Sequence, residues 1–86
     1  MDIICGIYKI TNPNGKIYIG QSTNIYHRWR VYKWLACKNQ IALYNSLKKY
    51  GYEKHRFEII ITCEKDKLDK LELIYIKEFD CLNTGL

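Results

Sequence analysis

The sequence predicts an α+β fold, a small three-stranded, mainly antiparallel sheet flanked by three helices in the order ββααβα. Three observations lead to it. Residues 3–10 and 16–20 are rich in Ile and Tyr and are separated by "TNPNGK". A third run of this kind, "RFEIIITC", occupies 56–63. Between and after these runs, apolar residues recur at helical rather than alternating spacing.

Each element has a local cause. In "TNPNGK", Asn12, Pro13 and Gly15 stand at the first, second and fourth positions of a type I turn, with Gly15 free to take positive φ. Residues 3–20 are therefore expected to form a hairpin with a bulged loop. Ser22, Thr23 or Asn24 can cap a first helix running to about Cys37. A second helix is expected over 40–50, capped by Asn39 and stopped by Gly51 in a left-handed conformation. Asp66 can cap a third helix running to about Phe79.

The chain has 86 residues and reads as one domain over 1–86, large enough for one core and one shallow site. It has no apolar run of the ~20 residues that a membrane helix needs. "MDIICG" lacks the basic start of a secretory signal, so an intracellular protein is expected, cytoplasmic or, in a eukaryote, nuclear. Cys5, Cys37, Cys63 and Cys81 are far apart, without the paired spacing of a zinc site, and read as small apolar side chains. His27 and His55 show no ligand spacing and read as surface residues.

The net charge is +5 and is unevenly spread. Residues 25–56 hold eight Lys or Arg against one acid, together with both tryptophans, whereas 57–86 are net acidic. A basic block of this kind suits a polyanion, nucleic acid above all. Arg30, Lys33, Lys38, Lys48 and Lys49 are its candidate nucleic-acid contacts.

In the hairpin, Tyr8 and Tyr18 fall on one face, and if Ile10 pairs with Lys16 they stand directly opposite each other. Such a pair can simply stabilise the sheet. Neighbouring Gly6 and Gly20 leave room above the strands for another chain or a ligand. On a wheel at about 100° per residue, Ile25, Trp29, Tyr32, Leu35 and Ala36 make an apolar stripe that contains Arg28. Leu68, Leu71, Tyr75, Ile76 and Phe79 make another that contains Glu72. Each helix thus turns one charge toward the body of the protein, where an unpaired charge is costly. The two charges either form a buried ion pair or face a wet cleft beside the tyrosines. An arginine fork matches a phosphate, a lone carboxylate with water suits Mg²⁺, and a phenol can move a proton. Together these are the parts of a metal-assisted phosphodiester hydrolase.

"GIY" at 6–8 and "YIG" at 18–20 resemble the signature of the GIY-YIG nuclease superfamily, specifically the catalytic domain of its homing-endonuclease-like members. "YHRWRVY" at 26–32 and "LELIYIKEFDCLN" at 71–83 are similar to the family's arginine and glutamate segments. The resemblance implies a DNA endonuclease that uses one divalent metal, Mg²⁺ or Mn²⁺. It implies that Tyr8 is the general base or positions water, that Tyr18 assists, and that Arg28 stabilises the transition state. Glu72 would hold the metal, Asn83 would support the site, and Tyr32 would lie near the scissile phosphate. Gly6 and Gly20 would be structural. It also implies a separate DNA-binding module or partner that supplies specificity. A nucleic-acid-binding module without catalysis remains the alternative.

Overall fold

The computed structural model describes residues 3–35 and 40–79. Strands β1 (Gly6–Thr11), β2 (Ile17–Ser22) and β3 (Arg56–Thr62) form one antiparallel sheet in the order β2-β1-β3. Helices α1 (Ile25–Lys33) and α2 (Ile41–Tyr50) connect β2 to β3, and α3 (Leu68–Glu78) follows β3. This is the expected ββααβα order. Lys38, Asn39, Ala36, Cys37, Cys81 and Asn83 lie outside the described residues.

The hairpin closes as the turn chemistry requires. Gly15 N–H donates to the Asn12 carbonyl (3.0 Å), Asn12 N–H donates to Lys16 O (2.9 Å), and Gly15 takes φ +85. The Asn12 side chain also accepts from the N–H groups of Asn14 and Lys16. Closure between Asn12 and Lys16 leaves three residues in the loop and sets the register. Ile10 pairs with Tyr18 and Tyr8 with Gly20, so the expected pairing of Ile10 with Lys16 is displaced by two residues. A two-residue displacement keeps every side chain on its face, so Tyr8 and Tyr18 remain neighbours, now on a diagonal.

β1 is central and carries a core on each face. Tyr8 and Ile10 pack with Ile25 and Tyr32 of α1 and with Leu43 and Leu47 of α2. Ile7 packs on the other face with Ile19 of β2 and Leu68 of α3, and half-buried Cys5 and Cys63 join this cluster as small apolar side chains. The apolar stripes read from the helices are the buried ones.

Helix ends differ from the expectations in instructive ways. The Asn24 side chain caps α1 by accepting from His27 N–H. α1 ends at Lys33 rather than near Cys37, because Leu35 turns to φ 57 and its N–H donates to Tyr32 O. α2 starts after Gln40, which makes no side-chain cap, and stops at Gly51. Gly51 has φ 89 and ψ 147, an extended positive-φ region open to glycine rather than the left-handed helical one expected. Asp66 does not cap α3; it lies in a 3₁₀ turn, Lys65–Lys67, that leads into the helix.

His55 is not a surface residue. It is 7% exposed, with Nδ1 paired to Gly51 O (2.8 Å) and Nε2 to Ser46 Oγ (2.8 Å). A carbonyl only accepts, so Nδ1 carries the proton and Nε2 accepts from the serine hydroxyl. Ser46 in turn accepts from Asn12 Nδ2, which ties the hairpin loop to α2. Among the described residues, no helix is long and apolar enough to cross a membrane.

Candidate active site

Three phenols meet on the face of the sheet covered by α1 and α2. Tyr8 comes from β1, Tyr18 from β2 and Tyr32 from α1. Their ring centroids lie 6.4 Å (Tyr8–Tyr18), 6.2 Å (Tyr8–Tyr32) and 6.4 Å (Tyr18–Tyr32) apart, nearly an equilateral triangle. The Tyr8 and Tyr32 hydroxyls are hydrogen-bonded to each other. Gln40 Nε2 donates to the Tyr18 hydroxyl and, at 3.2 Å, to the Tyr32 hydroxyl. Tyr8 and Tyr32 are buried and Tyr18 is half-exposed, so the hydroxyl network runs from the core toward solvent.

The glycines are filled from within the protein. A Cβ on Gly20 would stand 2.6 Å from Cζ and Oη of Tyr8 and 2.9 Å from Cε2 of Tyr18. The space above Gly20 is therefore occupied by the Tyr8 ring, its partner in the register. A Cβ on Gly6 would collide with the backbone oxygen of Ile61 on β3. Neither glycine leaves the vacancy for a ligand that the sequence suggested.

Burial sets the acidity of the phenols. Desolvation pushes Tyr8 far above the usual tyrosine range, and contact with Tyr32 adds to this; the nearby Arg28 charge pulls the other way without reversing it. Tyr18 is also pushed up, first by burial and then by Tyr32. The Arg28 cation thus does not bring the Tyr8 hydroxyl below the usual tyrosine range. Both hydroxyls stay protonated.

Arg28 is exposed rather than turned into the body of the protein. The wheel places it beside Tyr32 in the apolar stripe, but α1 ends at Lys33, before Leu35 could complete the stripe as helix. It sits at the rim of the tyrosine cluster, close enough for its charge to act on Tyr8. Glu72 is half-buried on α3, on the opposite face of the sheet, and its charge acts on Tyr18. Among the described residues, Arg28 and Glu72 form no ion pair with each other; the ion pair there is Lys9–Glu58 at 3.7 Å. Arg28 and Glu72 thus act on the same phenol cluster, Arg28 on Tyr8 of the central strand and Glu72 on Tyr18 of β2.

Burial raises the Glu72 pKa, the Gln21 amide lowers it and the charge of Asp69 raises it. Gln21 Nε2 also donates to Asp69 Oδ1 at 2.8 Å. A half-buried carboxylate with a second carboxylate one turn away and, among the described residues, no ion-pair partner is a donor set that suits a divalent ion. The described residues hold no group of three or more His, Cys, Asp or Glu able to bind a metal.

Two residues of this site escaped the sequence reading, Gln40 and Gln21. Gln21 directly follows the "YIG" triplet, its one signal; Gln40 carries none. Of the candidate nucleic-acid contacts, Arg30, Lys33, Lys48 and Lys49 are exposed.

The sequence profile of the GIY-YIG catalytic domain matches residues 4–83. The chain belongs to the GIY-YIG family. Its fold is that of the catalytic domain of intron endonuclease I-TevI, solved as a glutamate-to-alanine mutant, with a TM-score of 0.80, 31% identity, and coverage of 96% of this chain and 91% of that one. A second solved structure, titled as the catalytic domain of homing endonuclease I-TevI, gives a TM-score of 0.76 at 33% identity and covers 94% of each chain. No curated protein matches the chain significantly. Membership makes this GIY-YIG chain a nuclease domain, and its paired triplets are the hairpin that carries Tyr8 and Tyr18.

Proposed function

We propose that the chain is a metal-dependent endonuclease that hydrolyses DNA phosphodiester bonds with a single divalent ion, Mg²⁺ or Mn²⁺. One observation carries the reading: an exposed cation from one face of the sheet and a half-buried anion from the other flank the same phenol triangle without pairing. A structural ion pair would have closed on itself. Two charges that pair with no described residue are free to act on a substrate.

The roles follow from the chemistry of each group. Arg28 presents a planar fork to the phosphate and stabilises charge that develops there. Glu72, with Gln21 and Asp69 beside it, would hold the ion, which when bound supplies Lewis-acid stabilisation of the phosphate oxygens. Tyr18 has the most accessible hydroxyl and orients the phosphate or the attacking water. Tyr8 is held protonated, so it acts as a hydrogen-bonding group, its hydroxyl fixed by Tyr32, which in turn accepts from Gln40. Lys48, Lys49, Arg30 and Lys33 supply the electrostatic track for DNA. The similar structures are titled as catalytic domains, which supports specificity supplied by a separate binding module or partner.

Nicking of supercoiled plasmid, with and without a chelator, tests the reading. Cleavage is expected with Mg²⁺ or Mn²⁺ and is abolished by excess EDTA. Unimpaired cleavage in EDTA would contradict the one-metal mechanism. A gel shift with no cleavage in either metal would favour a non-catalytic nucleic-acid-binding module.

A further inference from the structure

A second feature of α1 lies outside the candidate active site. Tyr26, Trp29, Arg30, Lys33 and Trp34, with Tyr52 from the 3₁₀ turn Tyr52–Lys54, line a cleft of ≈ 360 Å³. On the helix these α1 residues lie roughly 100–160° round from Arg28. Ring contacts agree with that placement. Trp29 packs edge-on against Phe57 of β3 at 5.4 Å, and Phe57 against Tyr52 at 4.6 Å, so the cleft opens toward the β3 side. Glu72 acts on Tyr18 of β2, at the other edge of the sheet.

The chemistry of the lining is specific. Among the described residues it has four aromatic side chains, two cations and no acid. Trp34 is 74% exposed and Tyr26 is 46% exposed, so two large rings face solvent with little covering them. Arg30 and Lys33 are exposed, and neither forms an ion pair with a described residue. Exposed rings beside unpaired cations match a nucleotide, whose base stacks while its phosphate meets the charge. A paired duplex keeps its bases inside the stack and cannot place one here; an unpaired base can. A shallow hollow at the low end of the range for small-molecule pockets, about 300–1,000 Å³, suits one nucleotide rather than a larger ligand. Lys33 and Tyr52 also line a neighbouring hollow that adds Tyr50, Lys54 and one acid, Glu53.

We propose that this cleft is a subsite for an unpaired nucleotide of single-stranded DNA, which crosses α1 from the cutting site and stacks between the rings with its phosphate on Arg30 and Lys33. The proposal rests on the reading of the chain as a DNA-cutting domain and adds a substrate preference: DNA with an unpaired segment beside the cut binds more tightly than fully paired DNA. The back of Trp29 lies against Tyr8, with ring centroids 6.1 Å apart, so an occupied cleft abuts the phenol cluster.

Both tryptophans of the chain line the cleft, so its intrinsic fluorescence reports on this site. The experiment titrates the chain with a twelve-residue oligothymidylate and, separately, with a twelve-base-pair duplex, in EDTA so that nothing is cut. The oligothymidylate is expected to quench the emission saturably, and the duplex to quench it little. Trp34→Ala should weaken oligothymidylate binding about tenfold, the loss of one stacked base. Because Trp34 is exposed, that variant should fold. Arg30→Glu with Lys33→Glu should weaken binding at least as much and flatten its salt dependence. Equal quenching by the duplex, or none by the single strand, overturns the proposal. So does quenching that survives the double charge reversal, which would mark an apolar face for a protein partner. Arg28→Ala separates the two readings: it should keep the quenching and lose plasmid nicking. Quenching by a wild-type chain that never nicks would sink the hydrolase reading and leave the cleft standing. Nicking without quenching would do the reverse.

Discussion

Replacing Gly20 by alanine puts one methyl group where the ring of Tyr8 now lies. The new Cβ would be 2.6 Å from Cζ and Oη of Tyr8 and 2.9 Å from Cε2 of Tyr18. Carbon atoms rest at about 3.5–4.0 Å, so the rings must retreat by roughly 1 Å. Tyr8 has little room for this. It is 1% exposed, Trp29 packs edge-on against it, and its hydroxyl is bonded to Tyr32. Overpacking of such a core costs about 1–3 kcal/mol. In a domain of this size each kcal/mol lowers Tm by about 4–8 °C, so a fall of roughly 5–20 °C is expected. The chemistry should suffer more than the fold, since a displacement of about 1 Å in a catalytic array can cost ~10²-fold in rate. Thermal denaturation and plasmid nicking, the latter well below the variant's Tm, measure the two losses separately. A Gly20→Ala chain with wild-type Tm and wild-type nicking would refute the account of the tyrosine cluster.

Gly15→Ala is the control: at φ +85 with open space around it, it should lose about 1–2 kcal/mol to backbone strain and keep its nicking rate, which parallel denaturation and nicking assays would show. Glu72→Gln bears on the metal. Burial raises the Glu72 pKa, so its contribution to stability is present only while it is protonated and is lost as pH rises through its folded-state pKa. The metal-free variant should therefore melt higher than wild type at pH 7, with the gap closing near pH 4. Mg²⁺ should raise the Tm of wild type and leave that of the variant unchanged. Alkaline absorbance titration should find fewer than the chain's eight tyrosines ionising in the folded state. Tyr8 and Tyr18 are held up by burial, so their stabilising contribution persists below about pH 10 and is lost above it. Their signals should appear together with unfolding.

The order of elements was legible because local chemistry decides it. "NPNG" can do little but turn, and Gly51 can do little but end a helix. The apolar stripes of the helices were legible for the same reason. What failed depended on one more residue of precision than the pattern holds. Closure at Asn12 and Lys16, further along the chain than expected, moved the pairing of Tyr8 from Tyr18 to Gly20. α1 ends four residues earlier than expected, and Arg28 stands at a rim instead of inside. His55 read as surface because a single histidine has no period; only the folded chain brings Ser46 and the Gly51 carbonyl to its two nitrogens. Gln40 was missed for a related reason. An amide is common on surfaces, and its contact with two phenols arises only from the way α2 enters the fold. The space beside the glycines was legible as space, but whether a ligand or a neighbouring ring fills it is a matter of register.

The central claim is that Arg28 is present for chemistry and not for the fold. Arg28→Ala should therefore leave the urea denaturation midpoint where it is, within about 0.5 kcal/mol, as for other exposed positions. It should lower plasmid nicking by ~10³-fold or more, the scale seen when a phosphoryl-transfer site loses its arginine. A variant that unfolds, or one that stays folded and cuts at the wild-type rate, would contradict the account.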